Sequence, residues 1–246
     1  MRYAVLAPGK RIRPILMLAV SDLLGTPVRR VFPAACAIEL LHTFTLIHDD
    51  LPAMDNDDFR RGIPTVHKKF GEATAILAGD ALQALAFEIL AREPVDGAPA
   101  SSILSVISEV GDAIGFRGVA GGQQLDLAPP VRSNLTEMIR EIHAKKTTAL
   151  FRVALRASAI LCDASAMDLA KLTRFGEHFG YVFQIRDDIL DAAVAPTRAE
   201  LPSAIGLSGA RQELQKEVVR ARDSISSYGQ KAEEFLHLLD YFTEGV

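Results

Sequence analysis

The segment ELLHTFTLIHDD, residues 39–50, joins an apolar helical run to two adjacent aspartates. We predict a helix from about Phe32 to His48, because Pro52 and the polar stretch Asp55–Asp58 cannot continue an amphipathic helix. The acidic pair therefore stands at a helix C-terminus, where the helix dipole repels anions. Two carboxylates at such a position predict a bound cation.

The rest of the chain repeats the helical pattern. Apolar residues recur at spacings of three and four, and alternating strand-like runs are scarce, so we predict an all-α fold in one domain over residues 1–246. The other predicted helices cover Pro14–Leu24, Ala73–Ala91, 101–115, 134–160, 166–191 and 211–241. Residues 192–210 contain two prolines and two glycines and are predicted to form a loop.

Composition excludes several classes of function. A chain of 246 residues with 49% hydrophobic content can bury a substantial core. The net charge of −4 and the pI near 5.9 argue against binding to nucleic acid or to an anionic membrane surface. Cys36 and Cys162 lack CxxC spacing and are predicted to be free thiols in a reducing cytosol. No apolar run approaches the ~20 residues of a membrane-spanning helix, and no signal peptide is recognisable, so we predict a cytoplasmic protein without stable membrane insertion.

A second acidic cluster, FQIRDDILD, occupies residues 183–191. Asp187 and Asp191 are four residues apart and share a helix face, with Gln184 one turn earlier. Carboxylates at this spacing repel each other unless a cation compensates them. The two acidic clusters together predict facing walls of one metal site, and two solvated acidic helix ends remain the alternative.

Two basic groups could bind a phosphate that shares this metal. Carboxylates without nearby histidine or thiolate ligands favour Mg²⁺, which usually completes its coordination with water and substrate phosphate. Lys10, Arg11 and Arg13 stand just before the first predicted helix, whose N-terminus attracts anions. Arg60 and Arg61 follow the first acidic cluster. The chain has no GxxxxGK[ST] or GxGxxG motif, so a nucleotide is not the expected ligand.

With these clusters in this order, the sequence resembles the trans-isoprenyl diphosphate synthases, most closely the bacterial farnesyl diphosphate synthases. The matching stretches are GKRIRP (9–14), LHTFTLIHDD (41–50) through RRG (60–62), FGEA (70–73) through GDA (79–81), GGQ (121–123), KT (146–147) and FQIRDDILD (183–191). The resemblance implies a bundle of about ten helices around a central cavity. It also implies a Mg²⁺-dependent condensation of isopentenyl diphosphate with dimethylallyl or geranyl diphosphate, and a homodimer.

The resemblance further implies roles for individual residues. About three Mg²⁺ ions would bridge the allylic diphosphate to Asp49, Asp50, Asp55, Asp187, Asp188 and Asp191. Arg60 would bind the same diphosphate. The diphosphate of isopentenyl diphosphate would be bound by Lys10, Arg13, His42 and Arg61. The dipoles along the reacting carbons would come from Lys146, Thr147 and Gln184. Asp126 would support the metal shell or Lys146.

Product length should depend on the side chains one to two turns before Asp49. Thr45 lies one turn earlier on nearly the same face, and Phe44 flanks it. In the family, an aromatic residue five positions before the first aspartate, together with a two-residue-longer acidic motif, accompanies a fifteen-carbon product. We therefore expect Phe44 and Thr45 to limit the chain to farnesyl diphosphate, with geranylgeranyl diphosphate as the alternative.

The sequence departs from the family pattern in two places. Nine residues precede Lys10, where the family usually has a further helical segment, and no lysine occurs between Asp191 and Lys216, where the family usually has glycine-lysine motifs. The chain could therefore lack an N-terminal helix and part of the 192–210 loop. A non-catalytic partner subunit of the same fold is a second interpretation.

A third interpretation belongs to another class of protein. Glu39 with His42, and Glu234 with His237, match the Glu-x-x-His spacing of helical di-iron carboxylate proteins. This interpretation leaves both aspartate clusters and both basic groups without a role, so we prefer the prenyltransferase.

Overall fold

The structure is a computed structural model that describes residues 1–92, 97–128, 134–192 and 200–245. The described residues form twelve α-helices, ten of them with eight residues or more, which confirms the predicted all-α fold. The first six are α1 (Arg2–Val5), α2 (Ile12–Leu23), α3 (Phe32–Asp49), α4 (Val66–Phe70), α5 (Glu72–Arg92) and α6 (Ala100–Ile114). The others are α7 (Val119–Asp126), α8 (Leu135–Ile142), α9 (Ala149–Leu161), α10 (Ala166–Ala192), α11 (Leu201–Ile225) and α12 (Glu233–Thr243).

Three short elements complete the chain path. A π-helical turn, His143–Thr148, joins α8 to α9 and is called the π segment below. Two 3₁₀ turns cover Val28–Arg30 and Ser226–Ala232. The strands Phe59–Arg60 (β1) and Ile63–Pro64 (β2) pair antiparallel within the loop that follows α3, with Phe59 opposite Pro64.

Most predicted helices are confirmed to within two residues at each end, because their apolar periodicity is strong. The prediction of one helix over 134–160 missed the π segment. The prediction over 211–241 missed the 3₁₀ turn at Ser226–Ala232, where Gly229 takes a φ of 58° and breaks the helix. That break lets α12 return against α10, with the rings of Phe235 and Phe175 5.2 Å apart.

The predicted loop over 192–210 is wrong where the structure describes it. Residues 193–199 lie outside the described residues, but α11 already begins at Leu201. Leu201 and Ala210 are buried against the neighbouring helices, and Gly206, with a φ of 74°, is a kink inside the element. Burial of these side chains outweighs the low helix propensity of Pro202 and the glycines.

The hydrophobic core consists of two clusters that share two helices. One cluster lies among α2, α3, α5, α6 and α9, and the other among α2, α9, α10, α11 and α12. In α9, Leu150 and Val153 belong to the first cluster, while Phe151 and Leu155 belong to the second. In α2, Met17 belongs to the first cluster and Leu16 to the second. The two cores therefore meet at α2 and α9.

Helix α5 corrects one expectation from the sequence. Within the described residues it is the one helix long and apolar enough to cross a bilayer, judged by length and composition, although no apolar run of that length was expected. Only 33% of its most apolar window is buried. The helix packs against α3, α4 and α6, so it forms part of the helix bundle and presents an apolar outer face.

Candidate active site

A cavity of about 560 Å³ lies between the start of α2, the C-terminal half of α3, the π segment and α10. It brings together nine of the residues predicted from the sequence. They are Lys10, Arg13, His42, Thr45, Asp49, Arg61, Lys146, Thr147 and Asp187. These residues come from distant parts of the chain, so the fold assembles basic, acidic and polar groups around one space.

The two acidic clusters each contribute one carboxylate to this cavity, Asp49 at the end of α3 and Asp187 on α10. Burial raises the pKa of both side chains to about 6. Lys146 opposes this rise at Asp49, whereas the neighbouring charges of Asp55 and Asp191 add to it at Asp49 and Asp187 respectively. Burial makes these two carboxylates costly to ionise, and a cation bound beside them would offset that cost.

Asp55 joins the first carboxylate through a chain reversal. Its backbone N–H donates to the carbonyl oxygen of Asp49 at 2.8 Å, so the chain turns back after Pro52 and brings Asp55 to the end of α3. Asp191 lies one turn after Asp187 on α10 and is exposed. Each cavity-lining aspartate therefore has a second carboxylate of its own cluster close by.

The other two aspartates of the clusters bind partners within the protein. Asp50 Oδ1 accepts a hydrogen bond from Arg60 Nε at 2.5 Å, and Arg60 Nη2 also contacts Asp57 at 3.2 Å. Asp188 accepts from Gln184 Nε2 at 2.9 Å. The described residues that line the cavity include none of Asp50, Asp188 and Arg60. Arg60 therefore lies behind the first acidic cluster in this conformation.

The carboxylates fit a hard divalent cation that a phosphate helps to coordinate. Within the described ranges, no three His, Cys, Asp or Glu side chains already form a complete metal site. The available donors, led by Asp49 and Asp187, are carboxylate oxygens, which Mg²⁺ prefers over nitrogen or sulfur. An ion at this site would thus need oxygen ligands from water or a diphosphate, as Mg²⁺ sites usually do.

The basic wall of the cavity centres on Arg13. Its side chain is buried, burial lowers its pKa to about 10, and its guanidinium lies 4.1 Å from the ring centroid of Phe151. Arg13 Nε has no hydrogen-bond partner among the described residues. Burial, followed by the charges of Arg13 and Arg61, lowers the pKa of His42 well below its ordinary value. His42 is therefore neutral at physiological pH, and the wall offers a buried, incompletely bonded cation to an anion.

Three further basic residues flank Arg13. Lys10 is exposed, with its Nζ 4.8 Å from the ring centroid of Phe242 on α12. Arg61 Nη1 donates to the carbonyl oxygen of Pro8 at 2.9 Å. Arg11 forms an ion pair with Glu39 at 2.8 Å and donates to two backbone carbonyls of the preceding segment, which gives it a structural role.

The π segment supplies the remaining polar wall. A π turn is wider than an α turn, and here it places the consecutive residues Lys146 and Thr147 on the cavity. Lys146 Nζ donates to Asp126 Oδ2 at 2.6 Å, which is the contact to Lys146 suggested for Asp126. Thr147 Oγ1 donates to Gln184 Oε1 at 2.6 Å. Gln184 is absent from the described lining residues and acts here as the support of Thr147.

The two residues expected to limit product length point in different directions. Thr45 lines the cavity one turn before Asp49. Phe44 instead packs edge to face on the ring of His48, with centroids 5.8 Å apart, and contacts the core beside α5. Residues four apart on a helix share a face, whereas residues five apart do not, which explains why Thr45 and not Phe44 faces the cavity.

Sequence reasoning missed two structural supports of this site. His143, which the sequence predicts to be a structural or surface group and not a ligand, is buried and lies 3.0 Å from Asp188 Oδ2. Its position three residues before Lys146 was the available signal. Helix α7 was also missed, since glycines weaken its pattern. A Cβ on Gly122 would lie 2.4 Å from the backbone nitrogen of Lys146, so glycine allows α7 to touch the π segment.

The di-iron interpretation finds no support in this geometry. Glu39 is bound to Arg11, and His237 is exposed on α12, where its nearest carboxylate is Glu233 at 3.7 Å. The two Glu-x-x-His matches therefore do not form one site.

Comparisons of the sequence and the fold with known proteins identify the family of this chain. A sequence model of the polyprenyl synthetase family matches residues 1–201. Farnesyl diphosphate synthase of Bacillus subtilis (strain 168) is 38% identical over 253 residues, covering 98% of this chain and 86% of the relative. Geranylgeranyl diphosphate synthase of Cyanophora paradoxa is 46% identical over 206 residues, covering 83% and 68%. A crystal structure of an apo FPP/GFPP synthase from Zymomonas mobilis superposes with a TM-score of 0.92 at 38% identity, covering 98% of this chain and 86% of that one. The chain belongs to the polyprenyl synthetase family.

Proposed function

We propose that this protein is a short-chain trans-prenyltransferase, which condenses isopentenyl diphosphate with dimethylallyl or geranyl diphosphate to give farnesyl diphosphate. One observation carries the proposal. A single cavity is lined by two partly buried carboxylates, Asp49 and Asp187, by the buried cation Arg13, and by the polar pair Lys146 and Thr147. This is the set of groups needed to bind two diphosphates and to stabilise a positive charge between them.

The family depends on divalent metal ions, and we assign Mg²⁺ to this chain, with three ions per site when substrate is bound. Asp49, Asp55, Asp187 and Asp191 would hold the ions on the two walls of the cavity. When bound, Mg²⁺ neutralises the diphosphate as it leaves the allylic carbon. Asp50 would act by holding Arg60, which turns towards the allylic diphosphate once that anion is bound.

The basic wall would bind the diphosphate of isopentenyl diphosphate. Arg13 provides a guanidinium whose buried Nε lacks a partner in the described protein, and Arg61 and Lys10 add charge at the cavity rim. Neutral His42 can donate one hydrogen bond without adding charge. An anion bound here would offset the free-energy cost of burying the charged Arg13 side chain, which supports this assignment.

The reaction needs only binding, orientation and charge stabilisation from the protein. Ionisation of the allylic diphosphate leaves a carbocation, which the hydroxyl of Thr147 and the backbone dipoles of the π segment would stabilise. The double bond of isopentenyl diphosphate attacks the cation, and the proton lost from the new chain passes to the departing pyrophosphate. Gln184 would act by fixing Thr147, to which it is hydrogen-bonded.

Product length would be limited by the side chains along α3 below the acidic cluster. Thr45 lines the cavity, and Phe44 supports the same turn from the adjacent face. A fifteen-carbon product remains our proposal. Geranylgeranyl diphosphate is the second candidate, because Phe44 is turned onto His48 and leaves the smaller Thr45 as the residue facing the cavity.

We also propose that the protein forms a homodimer through α5 and α6. Ile76 and Leu77 on α5 and Leu104 on α6 are exposed, and Phe116, just after α6, is 85% exposed. Apolar side chains exposed together on neighbouring helices favour a protein interface. Asp80, on the same outer side of α5, has a side chain that is 60% exposed. A carboxylate there argues against lipid as the partner and supports a cytoplasmic protein without membrane insertion.

We further treat the chain as a single catalytic domain that does not bind nucleic acid. The sharing of α2 and α9 between the two hydrophobic clusters supports one folding unit. The net charge of −4 leaves no general attraction for polyanions. The basic side chains at the cavity are better matched to the small diphosphates.

The test is a product analysis with matched variants. Purified protein is incubated with labelled isopentenyl diphosphate and either dimethylallyl or geranyl diphosphate, with and without Mg²⁺, and the alcohols released from the products are sized. We expect a Mg²⁺-dependent fifteen-carbon product, lost in Asp187→Asn and kept in Asp22→Asn, which changes an exposed aspartate of α2. A twenty-carbon product would replace the farnesyl assignment. No product under any condition would favour the non-catalytic subunit.

A further inference from the structure

We propose that Asp188 is a positioning residue and not a metal ligand, and that its carboxylate locks the π segment to α10 and to the start of α11. The proposal rests on the prenyltransferase function for its kinetic consequences. It changes the role of one aspartate in the second acidic cluster, which the sequence assigned as a group to the metal.

Both oxygens of Asp188 are occupied by donors from three different elements. Oδ1 accepts from Gln184 Nε2 at 2.9 Å, and Oδ2 accepts from the backbone N–H of Leu201 at 2.9 Å. Oδ2 also lies 3.0 Å from His143 Nε2. The Asp188 side chain is only 5% exposed, so the protein encloses it almost completely.

Helix geometry separates Asp188 from the cavity. Adjacent residues of an α-helix point about 100° apart, and on α10 this rotation turns Asp188 towards the π segment and α11. Asp187 lines the cavity, and the described lining residues do not include Asp188. Turning Asp188 towards the metal would break its two hydrogen bonds and its contact with His143, and would move Asp187 away from the cavity.

The contacts of Asp188 reach both ends of the π segment. His143 is its first residue and binds Asp188 directly. Thr147, near its end, donates to Gln184 Oε1 at 2.6 Å, and Gln184 in turn donates to Asp188. A π turn is uncommon and is usually kept for function, so it needs tertiary contacts that hold it. Asp188 thereby fixes the turn that presents Lys146 and Thr147 to the cavity.

The third contact extends this support to α11. The N–H of Leu201 is one of the first backbone donors of that helix, which no helical carbonyl can satisfy. A negative charge beside a helix N-terminus is also favoured by the helix dipole. Glu200, which precedes the helix, makes no side-chain cap, so Asp188 supplies the cap from α10.

Steady-state kinetics with Asp188→Asn and Asp187→Asn test this assignment. Asparagine keeps one acceptor but replaces the other by a donor, so the hydrogen bond from Gln184 or the one from Leu201 is lost. We expect Asp188→Asn to lower kcat about 10- to 100-fold through misplacement of Thr147, with the Mg²⁺ concentration for half-maximal rate changed less than about twofold. Asp187→Asn should instead raise that concentration about tenfold or more. An equal rise in Asp188→Asn would overturn the proposal.

Hydrogen–deuterium exchange without metal or substrate provides a readout that needs no activity. Asp188→Asn should exchange faster than wild type in peptides covering the π segment and the first turn of α11, and Asp187→Asn should not. Unchanged exchange in Asp188→Asn would refute the positioning role even if no prenyltransferase activity were found.

Gln184→Leu is a second variant in case Asp188→Asn does not fold. It removes the link to Thr147 while leaving the contacts of Asp188 with His143 and Leu201. We expect faster exchange in the second half of the π segment and a lower kcat at an unchanged Mg²⁺ requirement. Because Thr147→Val already removes this hydrogen bond together with the hydroxyl at the carbocation, adding Gln184→Leu to Thr147→Val should lower kcat little further. Fully additive losses would show that Gln184 does not act through Thr147.

Discussion

Replacing Asp49 by asparagine should stabilise the metal-free protein while weakening its response to metal and diphosphate. Burial raises the pKa of Asp49 from 3.8 to about 6. Each tenfold change in proton affinity corresponds to about 1.4 kcal/mol, so the ionised carboxylate costs the folded protein about 2–3 kcal/mol near neutral pH. Asparagine has nearly the same shape and no charge, and Asp49→Asn should therefore raise the free energy of unfolding by up to that amount.

The pH dependence of this effect has a definite sign. The folded protein binds the proton more tightly than the unfolded chain, so wild-type stability from this group falls as pH rises from about 4 to about 6. Above about pH 7 the carboxylate is ionised in both states, and the advantage of Asp49→Asn is complete. Below about pH 4 it is protonated in both states, and the two proteins should differ little.

Urea unfolding with a chelator, over about pH 4 to 8, measures both quantities. Saturating Mg²⁺ with inorganic pyrophosphate should then stabilise wild type, by about 2.7 kcal/mol at a hundredfold excess over the dissociation constant, and stabilise Asp49→Asn much less. Asp22→Asn, at an exposed position on α2, should behave as wild type in both conditions. A metal-free Asp49→Asn protein less stable than wild type at neutral pH would refute the argument from burial. Equal stabilisation of both proteins by Mg²⁺ and pyrophosphate would remove Asp49 from the metal site.

Three other substitutions test separate parts of the structure. Thr45→Phe should fill the cavity one turn below Asp49 and shorten the product, measured by sizing the released alcohols, and an unchanged product would show that Thr45 does not limit length. Arg13→Met should raise KM for isopentenyl diphosphate by about tenfold or more, because a charge-assisted hydrogen bond is worth about 1.5–3 kcal/mol. KM for the allylic substrate should change less. Equal increases for both substrates would contradict the assignment of Arg13 to isopentenyl diphosphate. Gly79→Ala would place a Cβ 2.1 Å from His48 Nε2 and should lower stability by about 1–3 kcal/mol in urea unfolding, whereas Gly111→Ala, with 4.0 Å to its nearest side chain, should not.

The sequence predicted the long helices because their apolar residues alone determine a buried face. Helix α6 shows this, since Val106, Val110 and Ala113 recur at spacings of four and three residues and are all buried. The start of α11 could not be predicted in this way. Its first turn is stabilised by a hydrogen bond from Leu201 to Asp188, a contact between residues that become neighbours only after α10 and α11 pack.

The cavity was predictable to the extent that helix faces were predictable. His42, Thr45 and Asp49 lie at spacings of three, four and seven residues on α3, and all three line the cavity. The positions of Arg60 and Gln184 were not accessible to this reasoning. Arg60 lies in a loop whose path is determined by its ion pairs with Asp50 and Asp57, and Gln184 is separated from the cavity by Thr147.

The two acidic clusters follow one rule that neither sequence motif states. In each adjacent pair, the first aspartate, Asp49 or Asp187, lines the cavity and has a pKa raised to about 6 by burial. The second aspartate, Asp50 or Asp188, has a side chain that is 5% exposed and is bound by donors within the protein. A helix turns about 100° per residue, and here that rotation leaves the first carboxylate of each pair at the cavity and the second against the protein. The second carboxylate then has to be neutralised by hydrogen bonds, and its partners, such as Arg60, are held in place by the same contacts. Under the proposed function, the first aspartate of each pair would bind the metal, and the second would hold the surroundings of the first in place.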